Sequence, residues 1–600
     1  MKLWLMLLSL VSVLLGAAWA QGRALIEPDL ASEMAGLGSG EKVGVTIALT
    51  SQADPRSLES LAAEKSRSER RVLVVQALKS FSAKVQERVL SELRLGEVRG
   101  EVSDIQPFWL CNAVSCRVTK GEIERITELP EVWFVEKSEI VSKDILGKEE
   151  RAGVEFTPLP VLEWHIRRIG ADSVWNLLGI TGQGVVVGHI DTGVNYNHVD
   201  LASHLWTDPN YPHHGWNFEL NNDDPIDVQG HGTFMAGLVA SDGRAGDTCG
   251  VAPRAQIMPC RVAPRGDTLG ENQVFAAMQF CIAPPLSPNH GADVVLLPIG
   301  WDHSLSPRRS LWRQNLDNLS AAGLLLVTAS GGFNQPPPDA VSTPGDCPGP
   351  WPHPANQSGG LSGALAVGTT QVNDSIASWS GRGPVTWQNV SPYFDYPYNP
   401  GPGLIKPDLC APGVNLTSLS YTNNTSYVSG WSGTSLSSGL VAGVAALMLE
   451  RNPGLTPRQA DSLLEMTVKP LGTPPKNNTY GTGRVSAYGA VWNTPSGVDI
   501  QPALNHLPKR AFLGPAVPDP SRGQVTVSYD LSVETQVSLK VYNLSGQLVR
   551  TLVSGKEKAG YKHATWDGRS ECGARMTSGV YFYRLEAGSF AATKKMIVVR

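Results

Sequence analysis

Three short polar islands interrupt apolar stretches of this 600-residue chain. "VVGHIDTGV" (186–194) puts Asp191 at the end of an apolar run. "DVQGHGTFMAGLVA" (227–240) puts His231 ahead of a run of small residues, and "SGWSGTSLSSGLVAG" (429–443) does the same for Ser435. Taken singly, each has a plain reading: a turn-forming aspartate, a loop histidine, a helix-capping serine. Taken together they are the parts of a nucleophile. A serine hydroxyl needs a base within hydrogen-bond reach to attack at neutral pH. An imidazole can take and return that proton. A buried carboxylate holds the imidazole tautomer and stabilises its cation. A serine in the first turn of a helix also brings backbone N–H groups to a developing oxyanion.

These side chains need a frame that gathers strand ends and helix starts in one place. "QGVVVGHIDTG", "RAQIMPCRVA", "GADVVLLPIG", "GLLLVTASGG" and "SGALAVGTT" are short Val/Ile/Leu/Ala-rich runs ended by glycine or polar residues, with helical segments between several of them. That texture predicts an α/β domain over 170–495, with a parallel sheet buried on both faces and functional loops at the strand carboxyl ends. Ahead of it, a leader is expected over 21–42, a small α+β unit over 43–141 and a linker over 142–169. After it, a proline-rich hinge (496–520) precedes alternating runs that read as an antiparallel sandwich over 521–600.

Composition bounds the function. The formal net charge is -5 with no basic block, which argues against nucleic acid as a partner. Lys2, the apolar run Leu3–Ala17 and Ala18-Trp19-Ala20 read as a secretory signal peptide over 1–20, so a secreted or cell-surface protein is expected. The eight cysteines are too few for a disulfide scaffold. Cys260 and Cys281 read as core residues, and Cys249 with Cys347, both in turn-like contexts, as the candidate bridge. No metal-ligand spacing stands out. The acidic loop "ELNNDDPID" (219–227) suits either a solvated turn or a structural calcium site, and no ligands are assigned.

The central region resembles the subtilisin-like serine proteases, the subtilase family, through "DTGV", "GHGTFMAG" and "GTSLSSGLVAG" in the order Asp, His, Ser. The resemblance covers roughly 170–495 and leans toward the bacillopeptidase-F type. It implies a seven-stranded parallel sheet, polypeptide substrates, no required cofactor, and endopeptidase hydrolysis by Asp191, His231 and Ser435. It also implies that Ile299 and Gly300, with Ala329, Ser330 and Gly331, present the substrate-binding surface. "ELPEVWFVEKSEIV" resembles the closing segment of the family's inhibitor-type prodomain. The 43–141 unit is therefore expected to template folding, occupy the cleft and be cut away. "VSLKVYNLSGQLVRTLVSG", "ATWDG" and "SGVYFYRLEAG" resemble FlgD-type immunoglobulin-like tails and type IX sorting tails, implying contact with export or surface-attachment machinery.

The chain also departs from the family pattern. In "TASGGFN" (328–334), Gly332 stands where the resemblance places the oxyanion asparagine. With Asn334 or a water as substitute donor the chain stays an enzyme. Without one it becomes a slow or inactive subtilase-fold binding or scaffold protein, and Gly332→Asn is expected to raise turnover. Gly439 stands in place of a usual proline, and Leu296, Leu297 and Pro298 replace the usual residues of the substrate strand.

Overall fold

The computed structural model describes residues 24–138, 150–151, 155–156, 161–263, 270–301, 309–332, 339–349, 363–387, 390, 403–472, 476–495, 511–517, 521 and 525–599. The signal segment and Asn334 lie outside these.

The apolar runs of the central region become a parallel sheet. From one edge its order is Trp216–Asn217, Gln256–Arg261, Val186–Asp191, Val294–Leu297, Leu325–Ala329, Leu365–Thr370, Leu409–Pro412 and Gly483–Arg484, with Lys469–Pro470 antiparallel on the far edge. Two-residue strands at the edges bring the number to nine where seven were expected. Alternate residues of each strand serve opposite faces. Val187, Val294 and Leu296 join one apolar cluster with the helices His231–Ala240 and Thr434–Arg451. Val186, Ile190, Val295 and Leu297 join a second with the helices Glu271–Ile282 and Arg309–Ala321. Burial on both faces is why these strands read as continuous apolar runs.

The N-terminal unit is a five-stranded sheet in the order Leu25–Ile26, Val132–Lys137, Lys42–Leu49, Ala113–Thr119, Val102–Phe108. The 32-residue helix Arg67–Val98 is opened by a capping box between Ser66 and Glu69. The leader is not loose where it is described: Leu25 and Ile26 pair with Phe134 and Val135, and the helix Pro28–Gly36 buries Leu30 and Met34. The unit therefore begins ahead of residue 43. Leu25, Ile26, Leu30 and Met34 form too sparse an apolar pattern ahead of the strand Lys42–Leu49 to show this.

This unit docks on the Glu271–Ile282 and Arg309–Ala321 helices and shares their core. Ala48, Leu58, Val74, Leu78, Phe108 and Leu110 belong to the same cluster as Phe275, Trp312 and Leu316. Phe108 and Phe275 meet edge-on, ring centroids 5.9 Å apart. Buried polar contacts fix the register. Thr46 Oγ1 donates to Asn272 Oδ1 (3.0 Å), and Asn272 Nδ2 donates to Ser115 Oγ (2.7 Å). The N–H groups of Trp109 and Leu110 donate to Gln279 Oε1, and Arg67 pairs with Asp293 at 2.9 Å. Asn272→Ala should leave two buried hydroxyls without their partner and destabilise the full chain by about 1–3 kcal/mol. A lowered denaturant midpoint at unchanged slope is the measurement; an unchanged midpoint would show that the hydroxyls find other partners.

The expected linker is partly structured. Glu150–Arg151 pairs antiparallel with Ser432 and Trp431, and Glu155–Phe156 with Val428 and Tyr427, along the strand that leads to Ser435. Cys260 and Cys281 are core residues as expected, but the expected bridge fails: all eight cysteines are free thiols. Cys249 lies in one apolar cluster and Cys347 in the other, on opposite faces of the sheet, so no bridge can join them. At the C-terminus a three-stranded sheet (Phe512–Val517, Val525–Leu531, Gly560–Trp566) and a four-stranded sheet (Leu548–Glu557, Thr535–Tyr542, Gly579–Ala587, Phe590–Val598) share a core of Val527, Leu539, Trp566 and Tyr583. Leu513 and Ala516 also lie in that core, so the sandwich starts inside the expected hinge.

Candidate active site

Asp191 ends the strand Val186–Asp191, and His231 opens the helix His231–Ala240. His231 Nδ1 donates to Asp191 Oδ1 at 2.7 Å, and both side chains are fully buried. Burial alone would push the Asp191 carboxyl up. The charge and hydrogen bond of His231 outweigh it and hold the group below the ordinary aspartate value. That keeps a carboxylate facing the imidazole, as an orienting group requires.

Residues that sequence reasoning did not select hold this pair in place. Thr192 N–H donates to Asp191 Oδ1 (2.7 Å), and Thr192 Oγ1 accepts from Gly232 N–H (2.8 Å), tying strand end to helix start. Asp227, at the end of the acidic loop, is the hub beneath them. Its Oδ1 accepts from Gln229 and Gly230 N–H and from Thr192 Oγ1; its Oδ2 accepts from Thr233 N–H and Thr233 Oγ1. It is a side-chain cap for the helix, whose first N–H groups have no partners within it. Asp224 of the same loop accepts from Tyr196 OH at 2.9 Å. Among the described residues no group of three His, Cys, Asp or Glu is placed to hold a metal ion. No local signal marks this role: Asp227 stands four residues before His231, outside the position directly before a helix where a cap is expected.

Ser435 is the second residue of the helix Thr434–Arg451 and is 4% exposed. The neighbouring hydroxyls pin the helix start. Ser437 Oγ donates to the carbonyls of Ala411 and Pro412, Ser438 Oγ donates to the Ser435 carbonyl (2.6 Å), and Thr434 Oγ1 accepts from Gly331 N–H (3.2 Å). Ser435 Oγ donates to the Pro298 carbonyl at 2.8 Å. The candidate nucleophile thus rests against the segment just after the strand Val294–Leu297. Phe234 and Trp431 stack with ring centroids 4.4 Å apart, locking the His231 helix against the strand that feeds Ser435.

The substrate-binding candidates separate into two sets. Ile299 and Gly300 follow the strand Val294–Leu297, and among the described residues no hydrogen bond engages their backbone. Trp301 then pairs with Thr343 through two backbone bonds. Ala329 closes the strand Leu325–Ala329 and Gly331 follows it with φ +62°. Ser330 is fully buried, and its backbone is committed to Val367 and Ser342, so it presents no surface to a substrate. Gly332 has φ +102°, and a Cβ there would fall 2.5 Å from Gly381 N and 2.8 Å from the Ala340 carbonyl. The Gly381 backbone and the Ala340 carbonyl therefore occupy the space an asparagine side chain would leave by. This geometry argues against the expectation that asparagine at 332 raises turnover.

A carboxylate–imidazole pair and a helix-start serine at the carboxyl edge of a parallel sheet define the serine-hydrolase class. Residues 182–483 match the subtilase family, and the chain belongs to it. Residues 517–589 match the FlgD Ig-like domain. Bacillopeptidase F of Bacillus subtilis (strain 168) is 29% identical over 454 residues, 72% of this chain but 29% of that protein. Serine protease AprX of the same organism is 30% identical over 52% of this chain and 67% of its own length. Subtilisin Savinase of Lederbergia lenta is 30% identical over 54% of this chain and 97% of its own length.

Proposed function

We propose that the chain is a secreted serine endopeptidase, cleaving polypeptides through an acyl-enzyme. The observation that carries this reading is the 2.7 Å Asp191–His231 bond at the start of a helix that packs against the one whose first turn carries Ser435. Rotation of the Ser435 side chain off the Pro298 carbonyl turns its Oγ toward His231, which removes the proton as Oγ attacks the scissile carbonyl. Asp191 holds the Nδ1 proton and balances the imidazolium. Ser435 N–H, which has no hydrogen-bond partner among the described residues, faces the oxyanion. His231 then returns the proton to the leaving amine, and water repeats the sequence on the ester. The backbone of Ile299 and Gly300, which no hydrogen bond engages among the described residues, supports binding of the substrate as an added extended strand, with the Ile299 side chain buried in the core beneath it.

In this reading the N-terminal unit acts as template and intramolecular inhibitor, supported by its shared core with the two outer helices. The Ig-like domain acts in export or surface attachment, supported by its family match. No described helix is long and apolar enough to cross a membrane. The test is active-site labelling. A fluorophosphonate should modify one residue of the protein freed of its N-terminal unit, and peptide mapping should place it on Ser435. Folded, freed protein that takes up no label, or takes it up elsewhere, would sink the reading.

A further inference from the structure

A second imidazole stands beside the Asp191 carboxylate. His189 lies two residues earlier on the same strand, so its side chain points to the same face, toward the His231 helix. Its Nε2 lies 2.9 Å from the Gly232 carbonyl and 3.7 Å from Asp191 Oδ2. It is 1% exposed. A carbonyl only accepts, so the proton is on Nε2 and is donated to Gly232, with Asp191 Oδ2 close to the same N–H. His189 Nδ1 and Asp191 Oδ2 have no hydrogen-bond partner among the described residues. The carboxylate thus has one oxygen saturated, by His231 Nδ1 and Thr192 N–H, and one without a hydrogen bond among the described residues, 3.7 Å from His189 Nε2.

We propose that His189 is a positioning residue for the Asp191–His231 pair, its neutral ring joining the carboxylate to the backbone of the residue that follows His231. This rests on the proposed role of Asp191 and His231. Two functions follow from the geometry. The Nε2–H to Gly232 bond fixes the helix start relative to the strand end, and so the distance over which His231 meets Asp191. The positive end of the same N–H faces the unsaturated oxygen and offsets part of its charge. The ring stays neutral because it is buried and a second proton, on Nδ1, would have no acceptor; burial pushes its pKa down.

The other charged groups facing this strand end are accounted for. Asp227 is capped by Thr192, Gln229, Gly230 and Thr233. Arg261, opposite Asp191 in register on the adjacent strand, is held by Glu219 and the Ile226 carbonyl. The helix His231–Ala240 carries no titratable side chain but His231, and the strand Val294–Leu297 carries none.

Without the His189 dipole, the carboxylate holds the His231 proton more firmly, and the base becomes available only at higher pH. His189→Leu keeps the volume and removes the donor. It should lower kcat about tenfold at unchanged KM and move the acid limb of kcat/KM up by about half a pH unit. His189→Gln can place an amide N–H near the Nε2 position and should restore most of both. A leucine variant with an unmoved acid limb, or a glutamine variant as impaired as leucine, would overturn the proposal. If the leucine variant does not fold, glutamine alone decides: near-normal kcat and limb support it, and a loss in either overturns it. A parallel reading does not need turnover. In full-length Ser435→Ala protein, the titration midpoint of the downfield His231 Nδ1–H proton should rise with His189→Leu and return with His189→Gln. If the native chain hydrolyses no peptide, the proposed function fails while this titration still decides the role of His189: an unmoved midpoint refutes it.

Discussion

Ser435→Ala should leave a folded protein whose peptide hydrolysis is reduced about 10⁶-fold, a figure established for subtilisin itself rather than obtained from this geometry. The loss is large because the hydroxyl is the only group the attack uses; nothing in the first turn of its helix can replace it. The structural cost is small. Ser435 Oγ makes one hydrogen bond, to the Pro298 carbonyl, and losing it costs about 1 kcal/mol. The turn remains pinned by Ser437, Ser438 and Thr434. A thermal midpoint within a few degrees of native, with hydrolysis gone, is the expected pair of results. The same protein should keep its N-terminal unit attached, while the native chain releases it. Undiminished hydrolysis in the alanine variant would remove Ser435 from the mechanism, and equal release in both would make processing the work of another protease.

Gly332→Asn should do the opposite of what the family pattern suggests. A side-chain donor at the oxyanion is worth about 2.7–4 kcal/mol of transition-state stabilisation. Against it stand two costs. Holding a non-glycine residue at φ +102° costs about 1–2 kcal/mol. Relieving the overlap of its Cβ with Gly381 N and the Ala340 carbonyl costs about 1–3 kcal/mol, or displaces the segment. Gly381 cannot retreat freely, since its N–H donates to the Gly331 carbonyl at 2.6 Å. A loop pushed outward carries the new amide away from Ser435, so the costs are incurred and the gain is not collected. Turnover should fall and the thermal midpoint drop by several degrees. A stably folded asparagine variant with faster turnover would show that the 339–345 and 381 segments yield more easily than their contacts indicate.

That contrast marks what the sequence could say. Asp191, His231 and Ser435 were legible because each sits in a glycine-rich motif at the end of an apolar run, and a buried parallel sheet writes itself as such runs. Gly332 was legible as a missing side chain but not as a filled space, because what fills it comes from Ala340 and Gly381, and no local pattern reports a loop approaching from outside its own segment. Ser330 read as a cleft residue from its neighbours in "TASGG", yet its backbone belongs to Val367 and Ser342. Asp227 and His189 were visible letters whose partners, Thr233 and Gly232, lie on another element. Cys249 and Cys347 looked alike in their turns, and only the sheet between them shows that they cannot meet.

The shared core between the N-terminal unit and the two outer helices also sets an order of events in time. All five strands of that unit lie between Leu25 and Lys137, so its sheet can close as soon as that stretch has been made. The central domain must wait. Its strand Val186–Asp191 sits between partners from 256–261 and 294–297, and Glu450, at the far end of the Ser435 helix, accepts the N–H groups of Thr181 and Gln183 at the domain's opening turn. About 300 residues separate Lys137 from Ser435, which at ~5–20 residues per second is roughly 15–60 s of synthesis. Until residues 271–282 and 309–321 have been made, the first-made unit offers Leu58, Leu78 and Phe108 to helices that do not yet exist. When 271–282 and 309–321 emerge, the partner that covers their apolar sides is already in place.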